Sequence, residues 1–379
     1  MRISRFLILA TALLAALHVY IGLRLLPALP LDAGGRTAAA VVLLLSCLLI
    51  PMAVASRMVA RQSLADIMAW AGSLAMGVFS SLLVLTLLRD LILALCALLA
   101  PDAYARLRGI SALAVPFAAL FVSLVGFVNA RLRAQVVKVD VPISGLPAAL
   151  DGFTIAQISD IHVGPTIKRG YLQAIVGAVN ALDADLIAVT GDLVDGSVEQ
   201  LANETAPLAQ LTARHGVYFV TGNHEYYSDA AAWTAEIRRL GLTVLQNEHV
   251  LVRHGKALLV VAGVNDYGAR QFDPAWHSDP HAALAGAPAA DLKLLLAHQP
   301  RSAVEAARAG FDLQLSGHTH GGQFWPWNLF VRLQQPFTAG LHRMDALWVY
   351  TSRGTGYWGP PKRFGAPSEI TQLRLVAVD

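Results

Sequence analysis

Cysteine is scarce in this chain of 379 residues, and both cysteines, Cys47 and Cys96, lie in an apolar N-terminal third. The rest of the sequence has none. A disulfide framework and any cysteine-ligated metal are therefore excluded for that part. The lack of thiols does not indicate the redox compartment of that part, because a thiol-free domain can lie on either side of a membrane.

Charged residues are also few, at 15% of the chain, and the formal net charge is only +3. No broad basic stripe is present, so we expect nucleic acid not to be a partner of this protein. Hydrophobic residues make up 55% of the chain, which is above the usual globular range. The excess lies in residues 1–135, which predicts a membrane part followed by a water-soluble part.

Four apolar stretches have roughly the length of about 20 residues that a bilayer-spanning helix needs. The third can continue past Arg89 and Asp90 to about residue 99, as an interfacial segment or as a helical extension. A signal peptide is the alternative for the first stretch, but the later apolar stretches and the absence of a cleavage pattern favour a permanent membrane anchor. The predicted spans are 7–26, 38–54, 69–88 and 110–129.

Lysine and arginine near the ends of the predicted spans indicate the orientation in the membrane. The side that holds both termini carries more of them, which favours an integral protein of a bacterial inner membrane with a cytoplasmic soluble domain. One miscounted span would reverse this orientation. The richer side has Arg2, Arg5, Arg57, Arg61, Arg131, Arg133 and Lys138, and the other has Arg24, Arg36, Arg89, Arg106 and Arg108.

Strand and helix patterns alternate from Phe153 onward, which predicts a layered α/β domain. We expect a transmembrane anchor over 1–131, a linker over 132–152 and a catalytic domain over 153–379. The predicted helices are 168–182, 200–214, 229–240 and 301–309. The predicted strands are 153–158, 186–190, 217–221, 258–262, 292–297, 313–315, 347–351 and 371–378.

Five polar blocks each follow a predicted strand. Ligand sites in open α/β sheets gather beyond the carboxyl ends of the strands, so we expect the five blocks to meet in space. The glycines that precede Asp192, Asn223 and His318 are expected to let the chain turn sharply where a side chain would clash. The blocks are Asp160-Ile161-His162, Gly191-Asp192-Leu193-Val194-Asp195, Gly222-Asn223-His224-Glu225, His298 and Gly317-His318-Thr319-His320.

The blocks offer only oxygen and imidazole ligands, which suit two divalent ions such as Mn, Fe, Zn or Mg. Asp192 is the natural bridge because one carboxylate can give an oxygen to each ion, while Asn223 supplies a neutral oxygen. Two such ions bind a phosphoryl group and lower the pKa of a water molecule. A Gly-Asp turn or a lone histidine such as His298 is usually structural, but all five blocks in order predict a metal-dependent hydrolase.

These blocks resemble those of the calcineurin-like metallophosphoesterase superfamily, over about residues 150–379. The resemblance implies a four-layered α/β/β/α sandwich after the N-terminal four-helix transmembrane region. It implies that His224 contacts the phosphate and protonates the leaving oxygen, and that Asp195 and Glu225 orient their neighbours. The implied ligands are Asp160, His162, Asp192 and His320 for one ion, and Asp192, Asn223, His298 and His318 for the other.

Two segments, 316–323 and 352–356, are similar to a bacterial membrane-associated branch of YaeI and YkuE type, although this chain lacks a twin-arginine start. Some members of that branch cleave UDP-2,3-diacylglucosamine in lipid A synthesis. We therefore expect hydrolysis of a phosphodiester or pyrophosphate, with the bilayer and a lipid-linked phosphate compound as partners. The alternatives are a nucleotide or phosphoprotein substrate, or a non-catalytic membrane sensor or transporter with a metal-binding regulatory domain.

Two alternative roles are expected for some further residues. Arg353 is expected to contact a substrate phosphate or to form a salt bridge. Aromatic residues after the last block are expected to receive a lipid tail or to pack as an ordinary loop; they are Phe324, Trp325, Trp327 and Phe330. The histidines outside the blocks are interpreted as surface or structural residues; they are His215, His249, His254, His277, His281 and His342.

Overall fold

A computed structural model describes residues 5–59, 61–132 and 134–378. Its N-terminal part has four helices that are long and apolar enough to cross a membrane, one for each predicted span. The helix that carries the third span continues to Leu99, so the helical extension is the alternative that the structure adopts. Arg2 and Arg133, used above to predict orientation, lie outside the described residues. The helices are α1 (Arg5–Leu25), α2 (Ala33–Ala55), α3 (Gln62–Leu99) and α4 (Pro101–Arg131).

Polar partners accompany Arg89 and Asp90, two adjacent charged residues inside α3. Arg24 Nε lies 2.6 Å from Asp90 Oδ2, and the Tyr20 hydroxyl donates to the same oxygen at 2.6 Å. Arg89 is buried and donates from Nε to Ser111 Oγ at 2.9 Å. A buried charge is tolerated only when it is paired and hydrogen-bonded, so these contacts allow the helix to continue past both residues.

The remainder of the chain is built on two six-stranded sheets. The strands are β1 (Gln135–Ser144), β2 (Thr154–Ile158), β3 (Leu186–Val189), β4 (Val217–Phe219), β5 (Thr243–Val244), β6 (Glu248–His254), β7 (Ala257–Gly263), β8 (Leu292–Leu296), β9 (Leu313–Ser316), β10 (Gly340–Met344), β11 (Leu347–Thr351) and β12 (Glu369–Val378). The first sheet has the order β1-β12-β2-β3-β4-β5, and the second has the order β10-β11-β9-β8-β7-β6. The helices are α5 (Arg169–Asn180), α6 (Val198–Thr205), α7 (Asn223–Tyr227), α8 (Ala230–Arg239), α9 (Pro280–Ala283) and α10 (Ala303–Ala309).

Three apolar clusters show how the layers stack. Residues from both sheets, such as Leu186 and Leu294, form one central cluster. On its outer face the first sheet packs against α5, α6 and α8, with Trp233 fully buried there. The second sheet packs against α9 and α10 through Ala283 and Ala306. The soluble part is therefore an α/β/β/α sandwich, which confirms the predicted fold class.

The segment expected to be a linker, 132–152, contains strand β1, which pairs in parallel with β12 over ten residues. Its alternating valines supply the period of two that a strand needs, but its partner lies at the far end of the sequence. Contacts group the helices up to Val128 with Gly359–Lys362, and Asn129–Trp358 with the residues from Arg363 onward. The boundaries proposed for anchor, linker and catalytic domain stay a prediction.

The pairing of the strands explains why the polar blocks meet. Strands β2, β3 and β4 are parallel neighbours in the first sheet. Strands β8 and β9 are parallel neighbours in the second sheet. Each of these strands is followed by one of the five blocks. The polar residues therefore lie beyond the carboxyl ends of parallel strands in both sheets, in the same region.

Candidate metal centre

Six of the seven predicted ligands lie in overlapping groups of buried or half-buried side chains. Within each group, one possible ligand atom per residue lies within 4.8 Å of the others. Asp192 and His162 each belong to two groups, so the groups form one continuous cluster. The groups are Asp160, His162 and His320; His162, Asp192 and His224; and Asp192, His298 and His318.

The seventh predicted ligand, Asn223, has an oxygen that suits a cation. Its Oδ1 is buried and accepts no hydrogen bond from any residue that the structure describes. A buried polar atom without a partner is costly. Binding of a cation would satisfy it, as expected for a neutral oxygen ligand.

Ring nitrogens of the histidines face one another at short range. His162 Nε2 lies 3.1 Å from His320 Nε2, and His318 Nδ1 lies 3.2 Å from His298 Nε2. Burial and the nearby His298 lower the pKa of His318 to about 3, and burial together with His162 lowers the pKa of His320 well below its usual value. Neutral imidazoles offer lone pairs, which is the form that binds metal. The donors present therefore fit divalent ions.

His298 shows that this region favours positive charge. Burial opposes its protonation, yet the carboxylates of Asp192 and Asp160 raise its pKa well above the usual value. Its Nδ1 lies 2.7 Å from the carbonyl oxygen of Thr190, which leaves Nε2 facing Asp192 Oδ2 at 3.1 Å. A hydrogen bond on one ring nitrogen commonly fixes the other as the ligand atom.

Glu225 holds the loop that carries Asp192. Its carboxylate accepts hydrogen bonds from the backbone N–H groups of Asp192 at 3.0 Å, Leu193 at 2.8 Å and Gly222 at 2.6 Å. Burial and the nearby Asp192 carboxylate raise the pKa of Glu225 to about 7. Its contacts are with the backbone around Asp192 rather than with the ring of His224.

Asp195 contacts two histidines at once. Its Oδ1 lies 2.5 Å from His224 Nδ1, and its Oδ2 lies 3.2 Å from His162 Nδ1. Burial would raise the pKa of Asp195, but His162 and His224 hold it below the usual value. For His224, burial is outweighed by Asp192 and Asp195, which raise its pKa to about 9. His224 Nε2 then remains free of Asp195 and lies 3.9 Å from Asp192 Oδ2.

The backbone at five of the predicted ligands is left-handed, with positive φ angles between 51° and 70°. Residues other than glycine rarely adopt this conformation, and such strain clusters at functional sites. No pattern in the sequence signals this feature. The five are Asp160, His162, Asp192, His318 and His320.

The glycines of the blocks act in two different ways. Gly191 has φ +85° and makes the expected sharp turn. Gly222 and Gly317 are required by close approach instead. A Cβ atom on Gly222 would lie 2.2 Å from Asp192 Oδ1, and one on Gly317 would lie 2.0 Å from Ser159 Oγ.

Two arginines lie beside this centre. Arg353 forms an ion pair with Glu369 at 2.7 Å, which is the salt-bridge alternative. Arg363 was missed by the sequence reasoning. It is fully buried and donates to the carbonyl oxygens of His320 at 2.9 Å, Arg353 at 2.7 Å and Gly356 at 3.1 Å. Its only sequence signal was a cation within a stretch rich in glycine and proline.

Comparison with known proteins agrees with this geometry. Residues 153–322 match the family model described as calcineurin-like phosphoesterase. An uncharacterized metallophosphoesterase of Campylobacter jejuni, Cj0846, is 32% identical over 272 residues, covering 71% of this chain and 70% of the relative. The uncharacterized metallophosphoesterase YkuE of Bacillus subtilis is 29% identical over 239 residues, which cover 61% of this chain and 81% of the relative.

A third relative, unlike the first two, has a name that mentions a membrane. The transmembrane protein with metallophosphoesterase domain of Danio rerio is 40% identical over 258 residues, which cover 66% of this chain. The chain spans only 59% of that protein's length. With its four apolar helices, this protein is a membrane protein. It belongs to the calcineurin-like metallophosphoesterase family, whose members are hydrolases with a dinuclear divalent metal centre.

Proposed function

We propose that this protein is a membrane-anchored phosphoesterase that hydrolyses a phosphodiester or a pyrophosphate with the help of two divalent ions. The observation that carries the proposal is the convergence of the blocks around Asp192, which belongs to two of the groups of possible ligands. A purely regulatory metal-binding module would not need His224. Its position beside that cluster therefore favours an enzyme over a sensor.

The residues divide between two ions as the family resemblance implies. Asp160, His162 and His320 would hold one ion, and Asn223, His298 and His318 would hold the other, with Asp192 shared. Mn, Fe, Zn and Mg all accept such oxygen and imidazole ligands. Bound ions would supply Lewis-acid activation of the phosphoryl group and of water.

His224 is the proposed general acid. Its Nδ1 is held by Asp195 at 2.5 Å, so the ring can turn only Nε2 toward a substrate. Because the Asp195 carboxylate accepts from Nδ1, it favours the protonated ring, from which Nε2 can donate a proton to the leaving oxygen. A positioned acid of this kind contributes about 10²–10⁴-fold to a rate.

Removal of metal tests the proposed function directly. The full chain, purified in detergent, should hydrolyse bis-p-nitrophenyl phosphate, lose this activity after chelation and dialysis, and regain it with added Mn²⁺. Metal analysis of the reactivated protein should show two ions per chain at the centre. Circular dichroism must show that the stripped protein stays folded. Full turnover by the folded, metal-free protein would contradict the proposal.

We further propose a lipid-linked substrate, because the chain carries its own membrane helices and an exposed apolar segment beside the centre. This segment, called here the aromatic segment, comprises residues 325–333 and begins five positions after His320. Trp325, Trp327 and Phe330 are about half exposed, and Leu333 is 80% exposed. Apolar patches of this kind mark interaction sites, and tryptophan favours membrane interfaces. Phe324, which we grouped with these residues, is buried instead.

UDP-2,3-diacylglucosamine, an intermediate of lipid A synthesis, is the candidate substrate with which to test the aromatic segment. The double variant Trp327→Ser, Phe330→Ser should raise KM for this lipid at least about 10-fold, because each exposed ring can bury apolar area worth about 1.5–3 kcal/mol. Its rate with bis-p-nitrophenyl phosphate should stay within about twofold, since that substrate has no acyl chain. Assays in mixed micelles would measure both.

The matched control is Leu251→Ser, which replaces an exposed apolar residue on strand β6. It should leave both substrates unaffected. Failure to cleave the diacyl substrate would remove this candidate. Equal loss of activity on the two substrates in the double variant would show that the aromatic segment supports the fold and does not bind acyl chains.

We also propose that the protein resides in a bacterial inner membrane with its catalytic domain in the cytoplasm. Four spans, an even number, would put both ends of the helical region on one side of the membrane, and the excess of arginine and lysine predicted for that side supports a cytoplasmic location. Protease added to inverted vesicles should digest the catalytic domain. Digestion of the catalytic domain by protease added to intact spheroplasts would instead indicate the opposite orientation.

A further inference from the structure

A second cluster of possible ligands lies at the opposite ends of the strands that deliver Asp192 and Asn223. Asp185 immediately precedes β3, and His215 comes two residues before β4. The third member, His254, ends β6, which belongs to the other sheet. We call Asp185, His215 and His254 the distal cluster. It is separate from the catalytic centre because the lengths of β3 and β4 lie between them.

The two imidazoles of the distal cluster face each other. His215 Nε2 lies 2.9 Å from His254 Nδ1, and one carboxylate oxygen of Asp185 lies within 4.8 Å of a nitrogen of each ring. The Phe153 ring packs against both imidazoles, with centroid distances of 5.8 Å to His215 and 5.1 Å to His254. Packing of this kind restricts how far either ring can rotate away from the other.

The carboxylate of Asp185 is held in place from the protein side. Its Oδ2 accepts hydrogen bonds from the Thr154 backbone N–H at 2.9 Å and from the Thr154 hydroxyl at 3.1 Å. Among the described residues, its Oδ1 contacts only Arg214, at a long distance of 3.4 Å, and the Arg214 side chain is exposed. Carboxylate ligands of metal sites are generally oriented by such outer hydrogen bonds.

Charge in the distal cluster suits a cation. Burial, together with the nearby His254, lowers the pKa of His215. The facing ring nitrogens of His215 and His254 lie 2.9 Å apart, so a bound cation would replace the single proton that they can share. The Asp185 carboxylate adds a negative charge beside them.

We propose that Asp185, His215 and His254 bind a third metal ion, Zn²⁺, that is separate from the catalytic pair. Two imidazoles and one carboxylate form a ligand set typical of zinc, with a fourth position for water. Asp185 and His215 adjoin strands of the first sheet, whereas His254 belongs to the second. The ion therefore links the two sheets and stabilises the sandwich, a role that does not depend on the proposed phosphoesterase activity.

Metal stoichiometry tests this proposal. The full chain, saturated first with Mn²⁺ and then dialysed against a low concentration of Zn²⁺, should retain three ions, and Zn²⁺ should raise its Tm by at least about 2 °C. The double variant His215→Ala, His254→Ala should lose one ion and this rise in Tm. Its turnover of bis-p-nitrophenyl phosphate should stay within about twofold of the wild type.

The matched control is His277→Ala, His281→Ala, which removes two histidines outside both clusters and should keep all three ions. If the alanine variant does not fold, His254→Gln serves in its place, because glutamine can still hydrogen-bond to His215 but is a poor zinc ligand. An unchanged zinc content in the folded variant, or a Zn²⁺-induced rise in Tm that survives the substitutions, would overturn the proposal. In that case the two histidines form only a hydrogen bond.

Discussion

Asp192→Asn should lower kcat for bis-p-nitrophenyl phosphate by at least about 10³-fold, the largest loss that we expect from any single substitution in this protein. The amide keeps the shape of the side chain but removes the charge that both ions would share. Asp192 Oδ2 also faces His298 Nε2 at 3.1 Å, where an amide NH₂ group would oppose binding of a cation. The measurement is a steady-state rate together with metal analysis, which should show at least one ion per chain fewer than in the wild type.

The control for this substitution is Asp140→Asn. Asp140 is exposed and pairs with Arg374 at 2.7 Å on neighbouring strands at the edge of the first sheet, away from the centre. An ion pair of this kind contributes little to stability, so rate and metal content should not change. Purified Asp192→Asn protein with the metal content and turnover of the wild type would disprove the proposed bridging role.

His224→Gln should keep both ions and lower kcat by about 10²–10⁴-fold, because glutamine cannot release a proton to the leaving oxygen. The loss should depend on the substrate. A p-nitrophenyl ester has a good leaving group and needs little protonation, whereas an alkyl ester needs much more. The ratio of the two losses, measured on purified protein, therefore reports the role of His224 as an acid.

His342→Gln is the matched control for His224→Gln. His342 is partly buried, stacks on Phe337 with ring centroids 4.7 Å apart and lies outside the polar blocks. It should change neither rate nor metal content. Two outcomes would contradict the proposed role of His224: loss of metal in proportion to activity, or an equal loss of rate for both leaving groups.

The convergence of the blocks was predictable because the predicted ligands follow strands. A parallel strand fixes where the next residue lies, so residue types at strand ends were enough to bring Asp160, Asp192 and His298 together. The strands of the core were also predictable, since continuous runs such as Leu186–Val189 are typical of buried parallel strands. In each of these cases, the residues of one short segment were sufficient for the prediction.

The features that escaped prediction depend on contacts between distant segments. Strand β1 is stabilised by β12, and Arg363 donates to carbonyl oxygens of two separate loops, the one after β9 and the one after β11. His215 and His254 were interpreted as surface or structural residues, because nothing in their local sequence indicates that their rings meet across two sheets. The left-handed backbone at five of the predicted ligands likewise has no signal in any single block.

Strand β12 lies between β1 and β2 in the first sheet, although most of the domain's sequence separates β2 from β12. During synthesis, β2 therefore emerges from the ribosome long before its antiparallel neighbour exists, and one side of it stays open for pairing with other chains. Such open edges invite aggregation, and pairing across long sequence separation slows folding. The nascent protein should accordingly depend on chaperone protection until β12 has been translated, and a truncation after residue 322 should be insoluble.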